Sequence, residues 1–160
     1  MTNEENFEQC SLDAFVGGKI SLFQPLNGYR ANVDSILLAA SVNAKIGESV
    51  LELGCGVGAV LFSLMSRITG LNTVGIEIQK QYANLAIRNA AYNGFNADII
   101  ECDICSVPDE YKKLKYDHVI LNPPFFSLGS SVKMRLGDED LAKRERNHSL
   151  EAWLDVAIKR

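Results

Sequence analysis

The chain has 160 residues, of which 47% are hydrophobic and 22% charged, and its net charge is −4. This length and balance fit one globular domain with a buried core and exclude a disordered, collagen-like or coiled-coil chain. No run approaches the roughly 18 apolar residues of a membrane span. The net negative charge argues against a protein that coats nucleic acid nonspecifically.

The first residues and the cysteines indicate a reducing compartment. Residues 1–9 carry three glutamates and no basic side chain, unlike a secretory signal peptide. We therefore expect a cytoplasmic protein whose four cysteines are thiols. Cys102 and Cys105 form a single C-x-x-C pair that lacks histidine neighbours in the sequence, so no metal site is predicted. We interpret the pair as small apolar residues around a strand end, with a thioredoxin-like redox pair as the alternative.

Short apolar runs alternate with helical periods along most of the chain. After a tail at residues 1–16, residues 19–24 are predicted as a short strand, and Asp34 is the predicted N-cap of the helix that follows. Four strands rich in Val, Ile and Leu are predicted at residues 49–53, 73–77, 97–101 and 117–121. Helices are predicted at residues 60–68, 82–90 (before Gly94) and 150–158, and a short helix or turn is predicted at about residues 107–115. This alternation predicts an α/β fold, a parallel sheet with helices on both faces.

A glycine-rich segment, Glu52-Leu-Gly-Cys-Gly-Val-Gly58, stands where the first of these four strands turns into a helix. Glycines permit a sharp turn and let a ligand approach the backbone closely, and the helix directs its first amide groups into the same crevice. Gly54-x-Gly56-x-x-Ala59 fits the dinucleotide fingerprint, with Glu77 at the next strand end as the ribose-binding acid. The spacing alone leaves a nicotinamide dinucleotide and an S-adenosylmethionine-type cofactor both open.

The segment resembles motif I of the class I S-adenosylmethionine-dependent methyltransferases, in which an acid stands two residues before the first glycine, as Glu52 does here. The resemblance implies a Rossmann-like class I methyltransferase fold and S-adenosyl-L-methionine as the cofactor. It assigns Glu77 to the two ribose hydroxyls and Asp103 to the neighbourhood of the adenine. The cofactor-binding residues that we infer from it in these segments are Glu52, Gly54, Cys55, Gly56, Gly58, Glu77, Ile78, Asp103 and Ile104.

A second motif, Asn122-Pro-Pro-Phe125, follows the last of the four strands directly. Two prolines end a strand and fix a rigid, extended bend, and the carboxyl ends of the strands are where open α/β sheets bind ligands. The amide oxygen of Asn122 and the carbonyl of Pro123 can accept two hydrogen bonds from one planar NH2 group, while an aromatic ring can stack a flat substrate.

This tetrapeptide resembles motif IV of the amino methyltransferases, which modify exocyclic amines of adenine or guanine, or a glutamine amide. The resemblance implies that Asn122 and Pro123 orient the target nitrogen, that Pro124 shapes the bend and that Phe125 stacks the base. Asn122 is also expected to border the cofactor. Catalysis of this kind depends on proximity and on polarisation of the amine and needs no strong general base.

Residues 24–38 resemble the small-methyltransferase-domain proteins related to bacterial tRNA adenine-N6 methyltransferases. In that family the segment lies near the methionine end of the cofactor, and the residues that the resemblance carries there are Tyr29, Arg30, Asn32 and Asp34. The resemblance to this family covers residues 17–160, which we take as the S-adenosylmethionine-binding domain. The implied activity is methylation of an exocyclic amine of a base in RNA, with tRNA adenine N6 as the leading candidate.

The distribution of charge supports RNA as the partner and gives no reason to expect a membrane. Residues 112–146 hold eight basic and five acidic side chains, and phosphates near a flipped base require positive charge. The alternatives are a protein glutamine N5-methyltransferase, which usually has Tyr in place of Phe125, an inactive cofactor-binding fragment and an NAD(P) oxidoreductase. The last alternative leaves Asn122-Pro-Pro-Phe125 without a role.

The number of predicted strands is smaller than the family builds. Class I methyltransferases order seven strands as 3-2-1-4-5-7-6, and this sequence supplies the strands that would give 3-2-1-4. We therefore expect a fold that is truncated at its C-terminus. Strand four would then be a bare edge, and we expect self-association through it.

Overall fold

A computed structural model of the protein describes residues 9–123 and 149–160. The described strands are β1 (Cys10–Phe15), β2 (Ile20–Pro25), β3 (Ser49–Leu53), β4 (Asn72–Glu77), β5 (Asp98–Glu101) and β6 (His118–Leu121). The described helices are α1 (Val33–Ser41), α2 (Ala59–Arg67), α3 (Lys80–Asn93), α4 (Asp109–Lys112) and α5 (Leu150–Ile158), with short 3-10 helices at Val16–Gly18 and Ile104–Ser106. No helix among these residues is long and apolar enough to cross a membrane.

The central sheet contains four parallel strands in the order β5-β4-β3-β6. In the numbering of the predicted strands this is 3-2-1-4, so the predicted order is confirmed. Leu51 of β3 lies opposite Val74 of β4 and Val119 of β6, which sets one register across the middle of the sheet. Because all four strands run the same way, the segments that follow them meet at one edge.

Helices cover both faces of this sheet, as predicted. Val50 and Ile120 face a core cluster built with α1, α2 and α3. Leu51 and Leu53 point to the opposite face, where Trp153 of α5 completes a second cluster. The alternation of side chains along β3 therefore supplies both cores.

An antiparallel hairpin precedes the sheet. The predicted strand at residues 19–24 is present as β2, and it pairs along its whole length with β1, from Cys10 opposite Pro25 to Phe15 opposite Ile20. The strand β1 was not predicted, and it lies in the segment that we interpreted as an N-terminal tail. The side chains of Ile20 and Leu22 are buried against the helices of the first core cluster, so the hairpin is packed onto the domain.

The helix ends correct one prediction and confirm another. Asn32, not Asp34, is the N-cap of α1, and its side-chain oxygen accepts a hydrogen bond from the Asp34 backbone amide at 2.9 Å. Both residue types cap well, and the helix begins two residues earlier than the sequence suggested. Gly94 ends α3 in the left-handed conformation with φ 71°, as predicted.

Candidate active site

The glycine-rich turn between β3 and α2 is held to the neighbouring strand through its backbone. The Cys55 amide donates to the carbonyl of Ile76 at 2.9 Å, and the Gly58 amide donates to the Cys55 carbonyl at 2.8 Å. Gly54, Gly56 and Gly58 have φ values of 70°, 55° and 85°. These angles lie in the left-handed region, where side chains other than glycine are strained.

The three glycines differ in what surrounds them. A Cβ on Gly54 would lie 2.6 Å from the Trp153 ring, and a Cβ on Gly58 would lie 2.1 Å from the Phe62 ring. A Cβ on Gly56 would meet no atom of the described residues within 4 Å. Gly54 and Gly58 therefore permit close packing inside the protein, whereas the backbone at Gly56 is open to an incoming ligand.

Trp153 is a residue of this site that the sequence did not indicate. Its helical spacing with Leu150 and Leu154 predicts an ordinary core residue, and it is indeed only 6% exposed. The contact with Gly54 joins α5 to a turn about 100 residues earlier in the chain, and no local pattern encodes such a contact.

Glu77 links the end of β4 to the glycine-rich turn. One carboxylate oxygen accepts from the Gly56 amide at 2.9 Å, and the other accepts from the Gln79 amide at 2.8 Å. Each oxygen keeps a further lone pair, so the carboxylate can accept additional hydrogen bonds. The next residue, Ile78, is 46% exposed and presents apolar surface beside this acid.

The side chains of Glu52 and Cys55 are buried beneath the turn. The Glu52 carboxyl is 2% exposed and accepts a hydrogen bond from the Leu61 amide at 3.1 Å. Burial raises the pKa of Glu52 well above its ordinary value, and the nearby Glu77 carboxylate adds to the rise. Burial likewise raises the pKa of the Cys55 thiol, with smaller contributions from the two acids. The Cys55 side chain is thus a neutral packing group, while its backbone shapes the turn.

Asp103 and Ile104 follow β5 at the same edge of the sheet. The half-buried Asp103 caps the short 3-10 helix Ile104–Ser106 by accepting from the Cys105 amide at 2.8 Å. The Cys102 amide donates to the Glu77 carbonyl at 3.0 Å, which ties the ends of β5 and β4 together. Ile104 is 5% exposed and belongs to the second core cluster.

Asn122 and Pro123 lie beside the glycine-rich turn. The paired residues Leu53 of β3 and Leu121 of β6 are the last in their register, so Gly54 and Asn122 are the first residues beyond it. Asn122 and Pro123 are half-buried. The other two residues of the motif, Pro124 and Phe125, lie outside the described residues.

The four candidate residues that precede the sheet have different contacts in the structure. The exposed Tyr29 lies near Ser35, Asp34 and Glu52, and burial of part of its ring is the main cause that raises the pKa of its phenol. The guanidinium of Arg30 is directed to the hairpin instead. It donates to the Pro25 carbonyl and the Ser11 hydroxyl and forms an ion pair with Asp13.

The remaining two candidates of this segment belong to the start of α1. Asn32 uses its side-chain oxygen to cap the helix, and Asp34 is exposed in the first turn. Of the basic side chains in the predicted basic region, Lys112, Lys113 and Lys115 are exposed, and the other five lie outside the described residues. Within residues 9–123 and 149–160, no three His, Cys, Asp or Glu side chains form a group that could hold a metal ion.

Two curated proteins similar to this chain are named as methyltransferases of adenine in RNA. The chain is 36% identical over 125 residues to the rRNA N(6)-adenosine-methyltransferase METTL5 of Danio rerio. This match covers 76% of this chain and 59% of the relative. It is 31% identical over 132 residues to the tRNA1(Val) (adenine(37)-N6)-methyltransferase of Actinobacillus pleuropneumoniae, with coverages of 81% and 54%. The chain thus spans somewhat more than half the length of these two relatives.

Solved structures with the same fold include two RNA methyltransferases. The T. thermophilus 16S rRNA N2 G1207 methyltransferase RsmC, in complex with AdoMet and guanosine, superposes with a TM-score of 0.60 at 22% identity over 76% of this chain and 34% of that one. The Pyrococcus abyssi tRNA (uracil-54, C5)-methyltransferase, in complex with S-adenosyl-L-homocysteine, gives 0.57 at 22% identity over 73% and 28%. These likenesses show the Rossmann-like class I methyltransferase fold.

The family model described as "Methyltransferase small domain" matches residues 30–146, from the segment before α1 to beyond the Asn122 motif. This match covers more than half of the chain and includes both the glycine-rich turn and Asn122-Pro123. The chain belongs to the methyltransferase small domain family.

Proposed function

We propose that this chain carries the cofactor-binding and catalytic residues of an S-adenosylmethionine-dependent N-methyltransferase that acts on an exocyclic amine of a base in RNA. The observation that carries the proposal is the position of Asn122 and Pro123, directly after β6 and beside the first glycine of the turn after β3. A nucleotide-binding turn alone fits several cofactors, whereas an Asn-Pro bend beside it suits an NH2 substrate.

The residues at the carboxyl ends of β3, β4 and β5 fit the chemistry of the cofactor. Gly56 offers backbone without a side chain in the way, and Glu77 retains lone pairs for ribose hydroxyls. Ile78 offers apolar surface for a flat adenine. One carboxylate oxygen of Asp103 accepts from the Cys105 amide, and its lone pairs and those of the second oxygen can accept further hydrogen bonds. When bound, S-adenosylmethionine supplies an electrophilic methyl group on its sulfonium sulfur.

The protein's own contribution to the reaction is orientation of the amine. The Asn122 amide oxygen and the Pro123 carbonyl are two acceptors at adjacent positions of a constrained bend. Hydrogen bonds from both amine protons to these acceptors would direct the nitrogen lone pair and disperse positive charge as it develops. The surplus proton of the methylated nitrogen would leave to water after the transfer, so neither acceptor has to take it.

An adenine N6 amine is the substrate group that the relatives favour. The Danio rerio relative is named for rRNA N6-adenosine and the Actinobacillus pleuropneumoniae relative for tRNA adenine N6. The exposed lysines 112, 113 and 115 add positive charge to the described surface, before β6 and therefore towards the edge of the sheet opposite to Asn122. We propose tRNA adenine N6 in the cytoplasm, and the RNA species is an outcome of the experiment below.

Calorimetry with S-adenosylmethionine, S-adenosylhomocysteine and NAD tests the cofactor. We expect the two methionine derivatives to bind and NAD not to bind. Binding of NAD in place of both would overturn the proposal and favour the oxidoreductase alternative, which uses the same glycine-rich turn.

Methyl transfer from tritiated cofactor tests the substrate. We expect label in N6-methyladenosine after nucleoside analysis of unmodified tRNA, and separate incubation with rRNA distinguishes the two RNA species. Asn122→Ala and Phe125→Ala should abolish incorporation, whereas Asn96→Ala, at an exposed site after α3, should not. Label in a release factor but not in RNA would establish the glutamine methyltransferase. Cofactor binding without transfer to either would establish an inactive binding fragment.

Self-association through β6 is a separate proposal. In the described sheet β6 pairs with β3 on one side and forms the edge on the other, and its Ile120 is 4% exposed. An apolar strand at an edge can pair with a further strand. Sedimentation velocity should detect a dimer that Val119→Pro abolishes, and a monomer at all concentrations would contradict the proposal.

A further inference from the structure

The side chain of Asn89 joins three elements. Asn89 lies on α3 and has no exposed surface. Its Nδ2 donates to the Phe23 carbonyl of β2 at 3.1 Å and to the Val57 carbonyl at 3.0 Å, and its Oδ1 accepts from the Phe23 amide at 2.7 Å. Both amide protons and the amide oxygen are therefore engaged with backbone.

The contact with Val57 connects Asn89 to the candidate cofactor site. Val57 stands between Gly56 and Gly58 in the glycine-rich turn, and its side chain is buried in the first core cluster. Two other hydrogen bonds join the turn to β4, from the Cys55 amide to the Ile76 carbonyl and from the Gly56 amide to the Glu77 carboxylate. The hydrogen bond from Asn89 to the Val57 carbonyl joins the turn to α3 instead of β4.

The same helix also holds the segment that precedes α1. The Tyr82 hydroxyl accepts from the Tyr29 amide at 2.8 Å and lies 3.3 Å from the Tyr29 carbonyl, to which it donates. A Cβ on Gly28 would lie 2.7 Å from this hydroxyl, so the segment passes close to α3. Asn89 and Tyr82 lie seven positions apart, on one face of α3.

We propose that Asn89 is a positioning residue for cofactor binding, which fixes the Val57 carbonyl so that the glycine-rich turn is held in register with β2 and the Tyr29 segment. The inference rests on the proposed function, because it concerns the crevice in which S-adenosylmethionine binds. Sites of this kind require supporting hydrogen bonds to hold the binding backbone within a fraction of an ångström.

The chemistry of the amide explains why this position holds asparagine. Two of the three partners are carbonyl oxygens, which need donors, and the third is an amide, which needs an acceptor. Aspartate would turn a carboxylate towards both carbonyls, and alanine would leave three buried backbone groups without this partner. A short primary amide supplies two donors and one acceptor from one point on the helix.

Asn93 provides a matched control on the same helix. Its side chain donates to the Ser21 carbonyl at 2.8 Å and to the Asn89 carbonyl at 2.7 Å, and it accepts from the Ser21 amide at 3.0 Å. Asn93 therefore makes as many side-chain hydrogen bonds as Asn89 and also binds β2, but none of its hydrogen bonds reaches the glycine-rich turn. A role confined to joining β2 and α3 would leave the affinity for the cofactor unchanged in both variants.

The test compares Asn89→Ala with Asn93→Ala by calorimetry with S-adenosylhomocysteine, on protein whose fold is verified by circular dichroism. We expect the dissociation constant to rise about tenfold for Asn89→Ala, the loss that one hydrogen bond can produce, and to stay near the wild-type value for Asn93→Ala. Urea unfolding should show that both variants are destabilised. Equal affinity in the two variants would overturn the proposal.

A milder variant and a measurement on the wild-type protein guard against loss of folding. Asn89→Ser keeps a donor and an acceptor on a shorter side chain and should also bind S-adenosylhomocysteine more weakly. In the wild-type protein, NMR should show that the Asn89 side-chain amide signals shift on binding while those of Asn93 do not. Wild-type protein that fails to bind would refute the proposed function, whereas wild-type binding with an unshifted Asn89 amide would refute this inference alone.

Discussion

The carboxylate of Glu77 accepts a hydrogen bond from the backbone amide of Gly56, with 2.9 Å between Glu77 Oε2 and Gly56 N. The acid at the end of β4 thereby fixes the turn that follows β3. Its second oxygen holds the Gln79 amide, at the start of α3. One side chain thus shapes the open part of the crevice and retains lone pairs that a ribose can use.

Glu77→Gln should weaken binding of S-adenosylhomocysteine by about tenfold or more, because the amide has one acceptor oxygen for two backbone donors and lacks the charge. The measurement is calorimetry, and the matched control is Glu101→Gln. Glu101 lies opposite Glu77 in the β4–β5 register and is exposed. The same affinity in both variants would show that the Glu77 carboxylate has no part in binding.

Gly54→Ala should destabilise the protein through two effects. The backbone at φ 70° disfavours alanine, and its Cβ would lie 2.6 Å from the Trp153 ring. The first effect costs about 1 kcal/mol and the second about 1–3 kcal/mol, to be measured as free energy of unfolding in urea.

Gly94→Ala separates these two effects. Gly94 has nearly the same φ, 71°, but a Cβ there would meet no described atom within 4 Å. It should lose only the backbone contribution of about 1 kcal/mol. Adding Trp153→Leu to Gly54→Ala should recover part of the second loss, and strictly additive effects would contradict the contact.

Glu52→Gln should stabilise the protein at neutral pH. Burial raises the folded-state pKa of Glu52 well above its ordinary value. Folding therefore favours the protonated form, and wild-type stability falls as the pH rises from the unfolded pKa of about 4.3 towards the folded pKa. Glutamine can still accept from the Leu61 amide and carries no charge. Unfolding in urea at several pH values should give a variant whose advantage grows with pH, and a variant that is less stable throughout would exclude this explanation.

Glu48→Gln should have the opposite pH dependence. The hydrogen bond from His118, at 2.8 Å, is the main cause that lowers the pKa of Glu48, and the Lys45 amide adds to it. A lowered carboxyl pKa stabilises the folded state above the unfolded pKa of about 4.3, and this contribution is lost as the pH falls through the folded pKa. The variant should therefore be less stable than the wild type near neutral pH and equal to it in strong acid. A gap that persists in strong acid would indicate another cause.

Local patterns in the sequence were sufficient to predict the four strands of the central sheet, and the resemblance to class I methyltransferases supplied their order. Residues 49–53 were predicted as a strand and form β3, because an apolar run before a glycine-rich turn has few other interpretations. Gly94 ends α3 as predicted, because glycine adopts the left-handed conformation at little cost. The position of Asn122 beside the turn followed from the parallel arrangement of the strands.

Features that depend on partners distant in the chain were missed. β1 has only one buried residue, Phe15, and its strand conformation depends on pairing with β2. The ion pair of Arg30 with Asp13 of that unpredicted strand was not foreseen, and the assignment of Arg30 to the methionine end of the cofactor stays a prediction. Asn89 interrupts the apolar stripe of α3, and a polar residue in the buried face of a helix was the available signal for it.

Trp153 is the only tryptophan of the sequence, and its ring packs against the first glycine of the candidate cofactor turn. Its indole emission therefore arises from one known place, on the underside of the crevice. A rearrangement of the turn changes the surroundings of that ring, and with them the intensity or wavelength of the emitted light. The protein thus contains an intrinsic fluorophore at its candidate active site, so ligand titrations can be followed optically without a label.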